Sequence, residues 1–162
     1  MKEKIKVLMV CHGNICRSPM AEFIFKDMLA SRGLSDDFYV ESAATSNEEI
    51  GNHIYPPAKE ELAKHGIGTE RLRAEVAAKT ARRIRHSDYD EFDYLIAMES
   101  YNLRNMRRDF PEDPEDKIHR LLDFTERPGD IDDPWYTRRF DVTYQEIEAG
   151  CEALLEHICS LQ

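Results

Sequence analysis

The 162-residue chain reads as an α/β fold: a single three-layer domain over residues 1–162, with a central four-stranded parallel sheet and helices on both faces. Three observations predict it. Strand-like apolar runs alternate with helical patterns along the whole chain. The first run, Val7-Leu8-Met9-Val10, is apolar throughout, as in a buried strand. That run stops abruptly at Cys11-His12-Gly13-Asn14, a tight loop leading straight into a helix.

The elements follow in order. The first strand covers residues 5–10. Ser18-Pro19 reads as a helix start, with Ser18 as N-cap and Pro19 at the first helical position, where its missing N–H costs nothing. Ala21, Phe25, Met28 and Leu29 then recur at helical spacing, giving an amphipathic helix over 19–32. A strand at 39–42 and a helix at 57–65 come next, followed by a loop through an Arg-rich segment. A strand at 94–98, a helix at 101–108, a strand at 118–122 and a long helix at 143–160 complete the series, with Thr143 and Glu146 suited to a capping box. Residues 111–116 and 127–133 read as loops.

Composition narrows the class. With 41% hydrophobic and 33% charged residues the chain is an ordinary soluble protein by composition, long enough to bury a proper core. A net charge of −10 argues against a nucleic-acid partner. No stretch approaches the ~20 apolar residues of a membrane span, and Met1-Lys2-Glu3-Lys4 has no apolar signal core behind it. A cytoplasmic monomer without membrane contact is the default expectation. The cluster Lys79, Arg82, Arg83, Arg85 and His86, followed by Asp88, Asp90, Glu91 and Asp93, reads as a solvated surface. The cysteines at 11, 16, 151 and 159 form no metal pattern. Cys151 and Cys159 share a helical stripe with Ile147, Leu154, Leu155 and Ile158, which predicts core packing.

The chemistry concentrates at Cys11-His12-Gly13-Asn14-Ile15-Cys16-Arg17-Ser18. A cysteine at a strand end, six residues before an arginine and just ahead of a helix start, can build a cup for a phosphate dianion. Loop amides converge as a nest, the helix N-terminus adds partial positive charge, and the planar fork of Arg17 can hold two phosphate oxygens. No Asp or Glu falls between Val10 and Ser18 to oppose an anionic ligand or a thiolate. The same field predicts Cys11 as a thiolate at neutral pH, a free cysteine ordinarily titrating at about 8.5, with the Ser18 hydroxyl donating to the sulfur. Cys16 shares the loop, and a disulfide to Cys11 would shield the latter from irreversible oxidation.

These residues resemble the low-molecular-weight protein tyrosine phosphatases, whose phosphate loop Cys-x-Gly-Asn-x-Cys-Arg-Ser-Pro is matched from Cys11 to Pro19. The family's late Asp-Pro-aromatic loop is matched by Asp133-Pro134-Trp135-Tyr136, and the resemblance covers essentially the whole chain. It implies the phosphotyrosine phosphatase I-like fold, with Cys11 as nucleophile, Arg17 binding the transferred phosphoryl group and Asp133 as general acid. Asp132 is a second candidate for the acid. The phosphate loop would be His12, Gly13, Asn14, Ile15, Cys16, Arg17 and Ser18. Trp135 and Tyr136 would wall a slot for a phenyl ring, although ordinary core packing is the alternative for both. The chain departs from the family in two places. Thr45-Ser46-Asn47-Glu48-Glu49-Ile50-Gly51 puts an acid, Glu48, where many members carry tryptophan, and Lys79 stands where many carry histidine. The implied reaction is hydrolysis of phosphotyrosine or small aryl phosphates through a cysteinyl-phosphate, needing no cofactor or metal and inhibited by phosphate- or vanadate-type anions. Rivals are a thiol-dependent arsenate reductase, a protein-arginine phosphatase that tends to carry threonine where Ile15 stands, a phosphocarrier and a non-catalytic phosphotyrosine-binding module.

Overall fold

The computed structural model describes residues 3–162; Met1 and Lys2 lie outside the described residues. Four strands pair in parallel in the order β2-β1-β3-β4: β1 (Ile5–Cys11), β2 (Phe38–Ala44), β3 (Tyr94–Ala97) and β4 (Ile118–Arg120). Each return crosses a face of the sheet through helix. The helices are α1 (Arg17–Ser31), α2 (Pro56–Lys64), α3 (Arg73–Ala78), α4 (Asp88–Glu91), α5 (Ser100–Met106), α6 (Pro134–Thr137) and α7 (Phe140–Ser160).

Side-chain alternation along β1 separates the layers. Val7, Met9 and Cys11 join one core with Phe23, Leu154 and Leu155 from α1 and α7, while Leu8 and Val10 join another with Ile84, Phe92, Met106 and Phe110. Val7 to Val10 are all 0% exposed, so both faces of the central strand are covered, which accounts for a run without polar residues. The carboxyl end of β1 therefore opens between its neighbours, Cys11 lying opposite Ala44 of β2. That end is where ligand sites gather in open parallel sheets. The long α7 passes close under the turn after β4: a Cβ at Gly150 would come within 2.5 Å of Leu121, so glycine permits the approach.

Several expectations need correction. Helix α1 begins at Arg17 with Cys16 as N-cap and no side-chain cap, so Ser18 does not cap it; Pro19 still falls in the first turn, where amides lack intrahelical partners. Its N-terminal half is not amphipathic either, since Arg17 to Phe25 are buried on all sides beneath α7 and β2. Helix α7 starts three residues before Thr143, because Phe140 is buried at the start of the helix; Thr143 sits inside and bonds back to Arg139 O (3.2 Å), so no capping box forms. Cys159 is exposed, the apolar stripe running out in the last turn, whereas Cys151 is fully buried. The charged segment is solvated only in part: Arg85, His86, Asp90, Glu91 and Asp93 are exposed, whereas Lys79, Arg82, Arg83 and Asp88 are drawn inward. Arg82 pairs with Glu41 and Asp88, and Arg83 with Asp109, fastening this segment to β2 through Ala44. Helices α3, α4 and α6 and two short 3-10 turns, Ser35–Asp37 and Leu121–Phe124, add to the predicted set. Among the described residues no helix is long and apolar enough to cross a membrane.

Candidate active site

Cys11 ends β1, and the chain turns through His12–Cys16 into α1, with Asn14 in the left-handed region (φ 61°) that asparagine tolerates. The loop closes around sulfur. Cys11 Sγ lies 3.0 Å from Ser18 Oγ and accepts the amides of Asn14 (3.3 Å) and Ser18 (3.4 Å). Neighbouring segments brace the loop from outside: Thr45 N–H donates to Cys11 O, Ser46 N–H to His12 O, and Tyr55 N–H to Ile15 O.

Beneath the loop runs a buried polar chain. Asn14 Nδ2 donates to Ser18 Oγ (2.7 Å) and Ser42 Oγ (2.9 Å), and the Ser42 hydroxyl donates to Glu22 (2.6 Å). Arg82 N–H donates to Asn14 Oδ1 (3.2 Å), fixing the amide's orientation. Lys79 donates to Ser42 O (2.9 Å) and lies 3.6 Å from Glu22. Burial lowers the Lys79 pKa, and Glu22 opposes that shift. The histidine-to-lysine departure thus places a buried cation at the far end of a chain that reaches Cys11.

Arg17 is 2% exposed, so its charge is held entirely by its partners. It donates to Glu99 (2.6 Å) and to Ile131 O (2.8 Å), and lies 3.4 Å from Asp133. Burial would lower its pKa; the negative Cys11, Asp133 and Glu99 outweigh burial and raise it. Glu99 and the Ile131 carbonyl were not legible in the sequence, since both come from segments more than 80 residues away. The one local signal was Glu99-x-x-Asn102, whose side chains form a reciprocal capping box at the start of α5.

The segment leading to Asp133 is tied at its start. Ile131 N–H donates to Met98 O, and Asp130 accepts from the Ser100 amide and hydroxyl and from Arg120. Asp133 caps α6 with an extended backbone, as Pro134 favours, and one of its oxygens accepts from Trp135 N–H (3.0 Å). Asp133 lines the cleft, whereas Asp132 is exposed and does not.

These parts enclose a cleft of about 230 Å³. Cys11, His12, Gly13, Ile15, Cys16 and Arg17 form its floor, Trp135 and Tyr136 one wall, and Glu48 and Glu49 the other. Asn14 and Ser18 do not line it; their side chains turn into the network below. Trp135 is 43% and Tyr136 81% exposed, which excludes core packing for both. Glu48 pairs with His12 Nε2 (3.0 Å) across the rim. Glu49, which the sequence reading passed over, packs near Gly13 and accepts from Asn52. Cys11 and Cys16 are both free thiols, and burial, with Cys11 and Asp133 nearby, pushes the Cys16 pKa up.

Comparison with known proteins gives the same picture. YfkJ from Bacillus subtilis, a low molecular weight protein-tyrosine-phosphatase, is 40% identical over 156 residues, 95% of this chain and 96% of its own. Its crystal structure superposes with a TM-score of 0.91 at 38% identity, covering 99% and 98% of the two chains. The structure of a Drosophila arginine phosphatase matches with a TM-score of 0.81 at 33% identity, covering 95% and 98%. The sequence pattern of the low molecular weight phosphotyrosine protein phosphatases matches residues 6–161, and the chain belongs to that family.

Proposed function

We propose that the protein hydrolyses phosphotyrosine and small aryl phosphate monoesters through a cysteinyl-phosphate. One observation carries the reading: Asp133 stands 3.4 Å from Arg17 in the cleft whose floor holds a sulfur with three hydrogen-bond neighbours.

Cys11 attacks phosphorus as the thiolate while loop amides and Arg17 hold the equatorial oxygens. A phenol leaves poorly as an anion, tyrosine titrating near 10, so Asp133 gives its proton to the departing oxygen. The resulting Asp133 carboxylate then takes a proton from the water that attacks the cysteinyl-phosphate. Sulfur leaves as thiolate, and the Ser18 hydroxyl stabilises it. Trp135 and Tyr136 flank the ring, and Glu48 closes the opposite side of the mouth. A sulfur at the floor of an aromatic-walled slot favours the long phosphotyrosine side chain over the shorter phosphoserine. Phosphate and vanadate occupy the empty loop as inhibitors, and the reading carries a cytoplasmic monomer as its setting.

Assay of an aryl phosphate with wild type, Cys11→Ser and Asp133→Ala tests this. Turnover is lost in the first variant and strongly impaired in the second. Rapid arsenate reduction without aryl phosphate hydrolysis would overturn it, but an arsenate reductase needs relay cysteines, none lies between Cys16 and Cys151, and Cys151 is sealed in the core. Phosphoarginine belongs in the same assay because of the Drosophila neighbour. Ile15 in the floor and Trp135 in the wall favour the aryl substrate.

A further inference from the structure

Nothing in the chemistry above explains what holds the outer half of the acid loop. From residue 132 to 139 only Pro134 is buried, so α6 has almost no apolar anchor of its own. Yet the function of Asp133 depends on its lying over the phosphate loop within a fraction of an ångström.

We infer that Tyr55 and Arg138 are positioning residues, a clamp that ties the segment bearing Asp133 to the phosphate loop. The inference rests on the phosphatase reading and on Asp133 as its acid. Tyr55 stands just before α2, and its amide donates to Ile15 O (2.9 Å), so its backbone belongs to the phosphate loop's support. Its ring reaches the other way. It lies 4.8 Å from the Trp135 ring at a 50° tilt, and 6.1 Å from Phe140 at the start of α7. Arg138 completes the contact. It follows α6 in the left-handed region (φ 60°), its amide donates to Pro134 O, and its guanidinium donates to Tyr55 Oη (2.8 Å). The same guanidinium lies 5.4 Å from the Trp135 ring centre and 5.9 Å from that of Tyr55. Cation and rings thus form one stack, with an additional hydrogen bond that sets its direction.

The stack connects to the acid through the backbone. Trp135 is the residue whose N–H holds one oxygen of Asp133, leaving the other toward Arg17. Moving Trp135 therefore moves the carboxyl group. Tyr55 thus meets the phosphate loop through its backbone amide and the segment bearing Asp133 through its ring and hydroxyl.

The test uses kcat/KM for aryl phosphates whose leaving phenols run from dinitrophenol, which departs readily, to phenol, which needs the proton. Arg138 is exposed, so Arg138→Ala leaves the core untouched. Tyr55→Phe keeps the ring and removes only the hydroxyl. Both are expected to lower kcat/KM for phenyl phosphate, Arg138→Ala about two- to fivefold as an exposed cation–aromatic contact predicts and Tyr55→Phe about two- to tenfold as one hydrogen bond predicts, and for dinitrophenyl phosphate clearly less. Arg138→Lys keeps the cation and recovers part of the loss. An unchanged rate, or an equal loss across the series, overturns the clamp. Asp133→Asn is run beside them: if it too loses rate equally for all leaving groups, the acid assignment itself fails, and the clamp falls with it.

Discussion

The Ser18 hydroxyl lies 3.0 Å from the Cys11 sulfur, and its second partner decides which way its proton points. Asn14 Nδ2, at 2.7 Å, has only protons to give, so it takes up a Ser18 lone pair. With sulfur ionised, the hydroxyl proton goes to Cys11. Ser18→Ala removes that donor from the group that is nucleophile in one step and leaving group in the next. Hydrogen bonds to charged groups are worth about 1.5–3 kcal/mol, so kcat falls roughly ten- to a hundredfold. Stopped-flow release of the phenol checks it, since slower loss of the cysteinyl-phosphate shows as a pre-steady-state burst.

The same reasoning runs outward to Glu22. Its carboxylate draws the Ser42 proton, which leaves Ser42 to accept from Asn14, and it faces Lys79 at 3.6 Å and Lys26 at 2.6 Å. Glu22 is 4% exposed. Glu22→Gln takes from the largely buried Lys79 the stronger of its two carboxylate partners, Glu41 remaining, so the loss lies at or below the about 3–5 kcal/mol of a fully buried pair, read from the midpoint of urea unfolding. Adding Lys79→Met to Glu22→Gln removes that cation and restores part of the stability. Simple additivity of the two substitutions would refute the coupling.

The local parts of this molecule were legible in the sequence and the long-range parts were not. The strand at β1, the loop from Cys11 and the helix behind it follow from neighbouring residues, as does the extended aspartate before Pro134. Ser18 reads both as a cap and as a donor to the Cys11 sulfur; the second reading holds at 3.0 Å, and the cap fails because helix α1 begins one residue earlier, at Arg17. The Ile131 carbonyl and Tyr55 carry no local mark of their role, and Glu99 only that of a helix start; the crossing of β1, β2 and β3 brings them to one edge. Arg82 and Arg83 looked solvated, like their exposed neighbours Arg85 and His86, for a similar reason, their acidic partners Glu41 and Asp109 being far along the chain.

Acid weakens the fold through carboxylates at the loops flanking β4. Burial would raise the Asp113 pKa, but bonds from the Tyr89 hydroxyl and the Lys117 and Ile118 amides outweigh it and lower the value. Asp130 is lowered too: burial is outweighed by the Ser100 amide and hydroxyl and by Arg120. A carboxylate held below its unfolded value, about 3.9, favours the native state above that pH and loses the contribution as pH falls through the folded value. Urea midpoints followed from pH 7 to pH 3 therefore drop for wild type. Asp113→Asn and Asp130→Asn start lower at pH 7 and converge on wild type below about pH 4; a gap that stays constant with pH would contradict the assignment.

Cys16 offers the last test. Its pKa is pushed up by burial, with the neighbouring Cys11 and Asp133 adding to the shift, so it stays protonated where Cys11 acts as nucleophile. Both residues line the same cleft. Peroxide converts the Cys11 thiolate to a sulfenic acid; the Cys16 thiol attacks that sulfur, a disulfide forms and water leaves. Wild type inactivated by peroxide then regains activity with a dithiol reductant. Cys16→Ser has no thiol to intercept the sulfenic acid, which goes on to sulfinic acid under excess peroxide, and its activity does not return. Mass spectrometry separates the outcomes, the loss of two hydrogens in wild type against the gain of two oxygens in the variant. Equal recovery of both proteins would leave Cys16 as a buried filler.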